Sequence, residues 1–332
     1  MAKLGWGVIG IGNIVQTTMA PAMVEEPECE LVAGVSRDQG RADEFGRQFG
    51  TRFAYTDYGQ MLANPEVEAV FIATPNAFHA EQVIAAARGG KHVLCDKPLA
   101  NNVPDARRAV DACSAAGVKL GINFHNRHLP WVQDASRLIA EGVVGDVKVV
   151  EVQVSSGPRH YDNWRADPEI AGLGSVHNVG VHGLDFLRVI LHSDPVEVMA
   201  MFDKDPKSGG VEMLALITMR FGNGALVHYN ANESIRDPLN DIVIYGSAGR
   251  IVGTSFTRSR SDGELAVLTD EGETITRYQA PEAHRLSLAA FTHAVLTGEQ
   301  PNASGLDGLR SAQICEAIIR SVQERRLVEV DY

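Results

Sequence analysis

Residues 174–185 read GSVHNVGVHGLD, two histidines, an asparagine and an aspartate set among glycines and valines. Such a set can bind a metal, move a proton, or consist of histidines satisfied inside a helix. Read as a helix over 175–191, Ser175 is the cap after the glycines. Val176, Val179, Leu184, Leu187 and Leu191 then form an apolar stripe. Asn178, His182 and Asp185 stand at i, i+4 and i+7 and share another face. His177 and His182 are five apart, which separates them by roughly 140° around a helix. Paired zinc ligands on a helix need i, i+4 spacing, so no metal is expected here. His182 is the candidate proton carrier, because imidazole titrates near the operating pH. The competing reading is a structural His182, and His177 is expected to be structural or supporting. Gly180 and Gly183 are expected to leave room for close approach of a substrate.

Two other stretches carry chemistry. VIGIGNIV places Gly10 and Gly12 after an apolar strand and before a helix. The first glycine permits a tight turn, and the second lets the backbone approach a pyrophosphate at the helix N-terminus. Val15 stands where a third small residue is usual. The second strand ends at Ser36-Arg37, with Arg41 following. An acidic group there would favour NAD; a hydroxyl and two arginines suit a 2′-phosphate. NADP is therefore the preferred cofactor and NAD the alternative, unless the arginines only decorate a solvated helix start. HVLCDKPLA ends another strand with Asp96-Lys97-Pro98, and strand carboxyl ends are where ligands sit in open parallel sheets.

The elements that must position these residues follow two patterns. Over residues 1–125, apolar strands alternate with helices near 14–25, 79–88 and 104–116, which implies a parallel sheet with helices on both faces. Over residues 126–332, a helix from Pro130 to Glu141 precedes strands that arrive in succession. VEMLALITMRF and ALVHYNAN are joined through GNG, a hairpin signal, and two further hairpins follow before helices near 282–297 and 307–323. The fold class is α/β, a dinucleotide-binding domain followed by an α/β domain with an open, mainly antiparallel sheet. VEVMAMF and VEMLALITMRF are apolar on both faces, so the face bearing Met199 and Met201 is expected to pack on another subunit, as a homodimer or homotetramer.

Composition narrows the function classes. The 332 residues carry a net charge of −12, which argues against nucleic-acid binding. The four cysteines have no paired spacing and read as reduced intracellular thiols. Met1 to Gly5 is too short and too weakly basic for a signal peptide, and no apolar run approaches membrane-spanning length. A cytoplasmic protein without membrane partners is expected.

GVIGIGNIV, HVLCDKPLA, EGVVGDV and GLGSVHNVGVHGLDFLRVIL together resemble the glucose–fructose oxidoreductase and inositol dehydrogenase family, also called Gfo/Idh/MocA, over essentially the whole chain. GINFHNRH resembles a stretch of its sugar reductases. The resemblance implies a Rossmann domain, a second α/β domain, and hydride transfer between NAD(P) and a sugar, anhydrosugar or polyol in a cleft between domains. It implies that Lys97 and His182 are catalytic. Gly10, Gly12, Asn13, Ile14, Ser36, Arg37, Arg41, Thr74, Pro75, Asn76, His79, Asp96, Lys97, Trp164 and Arg165 would touch the cofactor. Asn178, His125, Arg127, Asp185 and His284 would touch the substrate. Asp96 stands where the family has glutamate, and Asn178 where it has aspartate. The second departure keeps open a cofactor-binding sensor without catalysis. A cofactor-assisted eliminase or glycosidase is the other alternative.

Overall fold

The computed structural model of the chain describes residues 3–204, 210–257 and 261–332. Met1 and Ala2, the start of the stretch read for a signal peptide, lie outside the described residues. The chain divides into two units, 1–124 with 284–312, and 125–283 with 313–332.

The first unit alternates strands β1 (Leu4–Ile9), β2 (Cys29–Val35), β3 (Phe53–Tyr55), β4 (Ala69–Ile72), β5 (His92–Cys95) and β6 (Leu120–Ile122) with helices. These are α1 (Ala20–Glu25), α2 (Gln39–Phe49), α3 (Tyr58–Leu62), α4 (His79–Arg88) and α5 (Val103–Ala116). The strands pair in parallel in the order β3-β2-β1-β4-β5-β6. Every residue of β1 and β4 is buried, as a strand covered on both faces requires. Helix ends follow local chemistry. Asp38 caps α2 by accepting the Arg41 N–H at 2.8 Å, and Asn102 caps α5 through the Asp105 N–H at 2.9 Å. Gly50 and Gly117 end these helices at positive φ.

The second unit holds β7 (Val147–Ser155), β8 (Pro195–Phe202), β9 (Leu214–Phe221), β10 (Leu226–Asn232), β11 (Ile242–Gly246), β12 (Gly249–Thr254), β13 (Gly263–Thr269), β14 (Gly272–Tyr278) and β15 (Val328–Glu329). They form one sheet in the order β14-β13-β12-β11-β7-β10-β9-β8-β15. Pairing is antiparallel except between β10 and β7. Along β9, Ala215, Ile217, Met219 and Phe221 are buried, while Leu216, Thr218 and Arg220 face outward. This unit also carries α6 (Pro130–Ala140), α7 (Pro168–Ala171) and α8 (Val181–Leu191).

Two helices close the chain, α9 (Ala283–Thr297) and α10 (Gly305–Glu324). The sequence placed residues 284–312 in the second domain, but they belong to the first unit. Leu288 and Phe291 of α9 enter its core, with the Phe291 ring centroid 5.7 Å from that of Trp6. A Cβ at Gly121 of β6 would lie 2.5 Å from Phe291, so that glycine makes room for the helix. Among the described residues, no helix is long and apolar enough to cross a membrane.

Candidate active site

In the first unit the turn after β1 bends at Gly10, where φ is +96°. A Cβ at Gly12 would meet nothing within 4 Å. The backbone there faces open space, a cradle that a ligand can enter. Past Asn13 and Ile14, Val15–Met19 form a π-helical turn that leads into α1, and no side chain caps its start at Ile14. Asn13 uses its carbonyl to accept the Thr17 hydroxyl at 2.9 Å. An uncapped helix start facing free volume fits the pyrophosphate of a dinucleotide.

At the end of β2, the Ser36 hydroxyl accepts the Asp38 N–H at 3.3 Å. Arg41 reaches back to donate to the Ile11 carbonyl at 2.8 Å, which ties α2 to the glycine turn, and Arg37 is exposed. After β4, the Thr74 hydroxyl donates to Gln82 at 2.6 Å, while Pro75 leads into a short 3-10 turn that opens at the buried Asn76. His79 is buried, with its ring nitrogens 2.7 Å from the Pro98 carbonyl and 2.8 Å from the Thr74 carbonyl. Burial lowers its pKa below the usual imidazole value. The sequence set His79 among the cofactor contacts; the structure uses its ring to join the end of β4 to the Lys-Pro turn.

Asp96, Lys97 and Pro98 follow β5, and the Lys97–Pro98 bond is cis. Asn123, fully buried after β6, donates from Nδ2 to Asp96 Oδ1 at 3.2 Å and lies 3.2 Å from Nδ1 of His284. That amide nitrogen can only donate, so His284 accepts at Nδ1. The Asp96 carboxylate is thereby fixed at the strand end that carries Lys97.

In the second unit, a 3-10 turn over His125–His128 sets the His125 ring edge-on to His182, with centroids 4.4 Å apart. Arg127 and Asp185 form a bidentate ion pair, with Nε donating to Oδ2 at 2.9 Å and Nη2 donating to Oδ1. The two side chains are only 3% and 1% exposed. Both were expected to touch substrate; the structure sets their charges against each other. That is what burial of an ionised carboxylate demands. The pair holds the His125 turn to the helix that carries His182.

That helix starts differently from the sequence expectation. Val176–Gly180 form a π-helical turn, and α8 begins only at Val181. Ser175 makes no side-chain cap; its hydroxyl donates to the Ala231 carbonyl at 3.2 Å. The cap is Glu212, which accepts the Gly174 N–H at 2.8 Å and the Val176 N–H at 2.9 Å. Burial pushes the Glu212 carboxyl up to about 7, against those two N–H groups, which favour the ionised form. His177 accepts the Leu173 N–H at 3.1 Å and is buried. Gly180 and Gly183 do not open space for a ligand. A Cβ at Gly183 would lie 2.3 Å from the Tyr229 hydroxyl, which donates to the Gly180 carbonyl at 2.7 Å.

Asn178 is held by residues that the sequence did not single out. Its Nδ2 donates to the Tyr161 hydroxyl and to Glu233 Oε1, both at 2.6 Å. Tyr161 donates to the Glu233 carboxylate at 2.8 Å, and the Ser156 hydroxyl donates to it at 2.7 Å. Glu233 is fully buried. One signal pointed to it. Val227, Tyr229 and Ala231 alternate inward along β10, and the same beat puts position 233 inside. On the preceding loop, Trp164 and Arg165 open a 3-10 turn, with the guanidinium 4.3 Å from the indole centroid.

Known proteins share this organisation. The model of an oxidoreductase family with an NAD-binding Rossmann fold matches residues 4–124, and that of the GFO/IDH/MocA C-terminal domain matches residues 132–252. The 1,5-anhydro-D-fructose reductase of Ensifer adhaerens is 29% identical over 98% of each chain. The D-xylose 1-dehydrogenase (NADP(+)) 2 of Haloferax volcanii is 30% identical over 98% of this chain and 99% of its own. An aldose-aldose oxidoreductase from Caulobacter crescentus, solved with glycerol, superposes with a TM-score of 0.90 at 28% identity, covering 98% of this chain and 99% of that one. With a family match in each unit and full-length likeness in sequence and fold, the chain belongs to the Gfo/Idh/MocA oxidoreductases, enzymes with an NAD(P)-binding Rossmann fold.

Proposed function

We propose that the enzyme transfers hydride between NADP(H) and a carbonyl or hydroxyl carbon of a sugar, anhydrosugar or polyol. The observation that carries this reading is Lys97, set at the carboxyl end of β5 on a turn anchored by His79 and by the Asn123–Asp96 bond. Bound NAD(P) supplies or accepts the hydride at the nicotinamide C4. In the reductive direction Lys97 hydrogen-bonds the substrate oxygen and stabilises its developing negative charge. His182 donates the proton that completes the hydroxyl, and in oxidation it takes that proton back. Asn178 binds a neighbouring hydroxyl, and His125 and His284 are further contacts for the substrate. Asp96 holds the nicotinamide ribose, while Gly10, Gly12, Asn13 and Ile14 face the pyrophosphate. Thr74, Pro75, Asn76, Trp164 and Arg165 complete the cofactor contacts.

Ser36, Arg37 and Arg41 favour the 2′-phosphate, and a relative named for NADP(+) supports that preference. The relatives named for an anhydrosugar, a pentose and aldoses support the substrate class. A second copy of the chain covers the outer face of the sheet, where Met199 is 47% and Met201 66% exposed beside Leu216. Four buried thiols agree with a reducing cytoplasm.

The test follows NADPH absorbance against ketoses, anhydrosugars and inositols, with NADH in parallel. Oxidation of NADPH by one class is the expected result. Binding without turnover would make the protein a sensor, and turnover without net cofactor oxidation would make it an eliminase. His182→Ala is expected to lower turnover by roughly 10² or more while NADPH still binds.

A further inference from the structure

We infer that Glu233 supplies, through the amide of Asn178, the carboxylate character at this position, and that Asn178, Glu233 and Tyr161 form one unit that recognises a substrate hydroxyl. The inference rests on the sugar or polyol reading above. It assigns Glu233 as a positioning residue, acting through Asn178.

The geometry runs in one direction. Both hydrogens of the Asn178 amide have acceptors, the Tyr161 oxygen and Glu233 Oε1, each at 2.6 Å. An amide whose two N–H bonds are so committed offers only its carbonyl oxygen to anything else, and that oxygen is an acceptor. The positive end of the amide dipole faces Glu233, so the negative charge there pushes electron density toward the carbonyl oxygen. To a substrate hydroxyl, Asn178 backed by Glu233 therefore presents what an aspartate would present.

The same distance explains why position 178 is not an aspartate. Two carboxylates 2.6 Å apart cannot both be ionised, and one would hold a proton. The residues at 178 and 233 are a matched pair, and asparagine is the partner that leaves Glu233 charged. Glu233 is built to stay in place. It is fully buried, its N–H donates to the Met213 carbonyl at 2.7 Å, and its carbonyl accepts the Arg159 N–H at 2.8 Å. Burial and the Glu233 charge hold the Tyr161 hydroxyl well above the usual phenol range, so it remains a donor to that carboxylate. Arg159 and Arg165 are the cations that act on Tyr161 from the same loop.

The test compares the wild type with Glu233→Gln, Asn178→Asp and the double variant, using the sugar that the NADPH screen identifies. Glu233→Gln keeps size and shape but frees the orientation of the Asn178 amide. Sugar affinity by calorimetry and KM are expected to weaken about 10-fold, with a smaller change in kcat. Asn178→Asp is expected to add an alkaline loss of activity, as the shared proton leaves and the two carboxylates repel. The double variant restores a carboxylate facing an amide, and is expected to recover KM to within about threefold of the wild type and to lose the new alkaline limb. A purely structural Glu233 would lower thermal stability in both of its variants and would show no rescue. Additive losses, or unchanged sugar binding in Glu233→Gln, would overturn the inference. A wild type that turns over no sugar would sink the functional reading instead. The coupling is then decided by carbon NMR titration, where Asn178→Asp must show a carboxyl above its usual range that the double variant lacks. Ordinary titration in both would overturn it.

Discussion

Two glycine-rich segments of this chain are built alike and used differently. Each leads into a five-residue π-helical turn followed by an α-helix, Val15–Met19 before α1 in the first unit and Val176–Gly180 before α8 in the second. At the first, no side chain caps the helix start, and a Cβ at Gly12 would meet nothing within 4 Å. At the second, Glu212 takes two N–H groups of the helix start, and a Cβ at Gly174 would lie 1.9 Å from the Glu212 carbonyl oxygen. A helix N-terminus must satisfy its free N–H groups somehow. One of these is open, the seat proposed for an anionic ligand, and the other is closed by a carboxylate of the protein itself. Glycine in the first segment faces open space, and in the second it serves packing.

That contrast predicts opposite failures for the same substitution. Gly174→Ala drives a methyl into backbone that cannot swing away, and should destabilise the fold by about 3 kcal/mol. Gly12→Ala adds its methyl to open space and should leave stability within about 1 kcal/mol of the wild type. Its effect falls on the ligand, and the Kd for NADPH should rise roughly 100-fold, about 2.7 kcal/mol. Urea unfolding and NADPH titration of both variants check this. If Gly12→Ala bound NADPH normally, the open turn would not be the cofactor's seat.

The protein-filled helix start should also respond to pH. Burial raises the Glu212 carboxyl from 4.5 to about 7. An acid raised in the folded state holds its proton more tightly there than in the unfolded chain, so stability falls as pH rises from about 4.5 through 7. The loss across that window is about 3 kcal/mol. The neighbouring Asp203 charge pushes in the same direction. Glu212→Gln cannot ionise and should lack this slope. The difference between wild type and variant, measured by urea unfolding from pH 5 to 8, isolates Glu212 from the other titrating groups. Parallel pH profiles would break the assignment of a raised carboxyl to Glu212.

The two regions were not equally legible in the sequence. At Gly10 and Gly12 the information is local, because a strand, a turn and a helix adjoin in the chain and the glycines answer to their own backbone. The antiparallel sheet was legible for a similar reason, since GNG joins VEMLALITMRF to ALVHYNAN as a hairpin within adjoining residues. The segment 174–185 depends on residues far away. Glu212 caps it from 36 and 38 positions downstream, Glu233 engages Asn178 across 55, and Arg127 reaches Asp185 across 58. A helical wheel puts Asn178, His182 and Asp185 on one face but cannot show that each meets a different partner. Gly180 and Gly183 looked like room for a ligand because nothing in their neighbourhood reveals the Tyr229 ring. Residues 284–312 went to the wrong domain because only the folded core shows Phe291 beside Trp6.

The smallest expected effect sharpens the first region. Arg41 donates to the Ile11 carbonyl, so it already has a task inside the glycine turn. Anchoring the turn and holding a 2′-phosphate make different predictions for Arg41→Ala. If the guanidinium only steadies the turn, NADPH and NADH must lose affinity equally, since both carry the pyrophosphate proposed to sit there. If it pairs with the 2′-phosphate, NADPH alone should weaken, by about 10-fold, because only that cofactor carries the group. The ratio of the two Kd values therefore separates the roles without reference to the sugar. Asp38 makes the expected effect modest. Its carboxylate accepts the Arg41 N–H at 2.8 Å and stands two residues past Ser36, where it opposes a second negative charge. Removal of Arg41 should leave that opposition unbalanced and move the preference toward NADH. Equal losses for both cofactors would return Arg41 to a purely structural part in the turn.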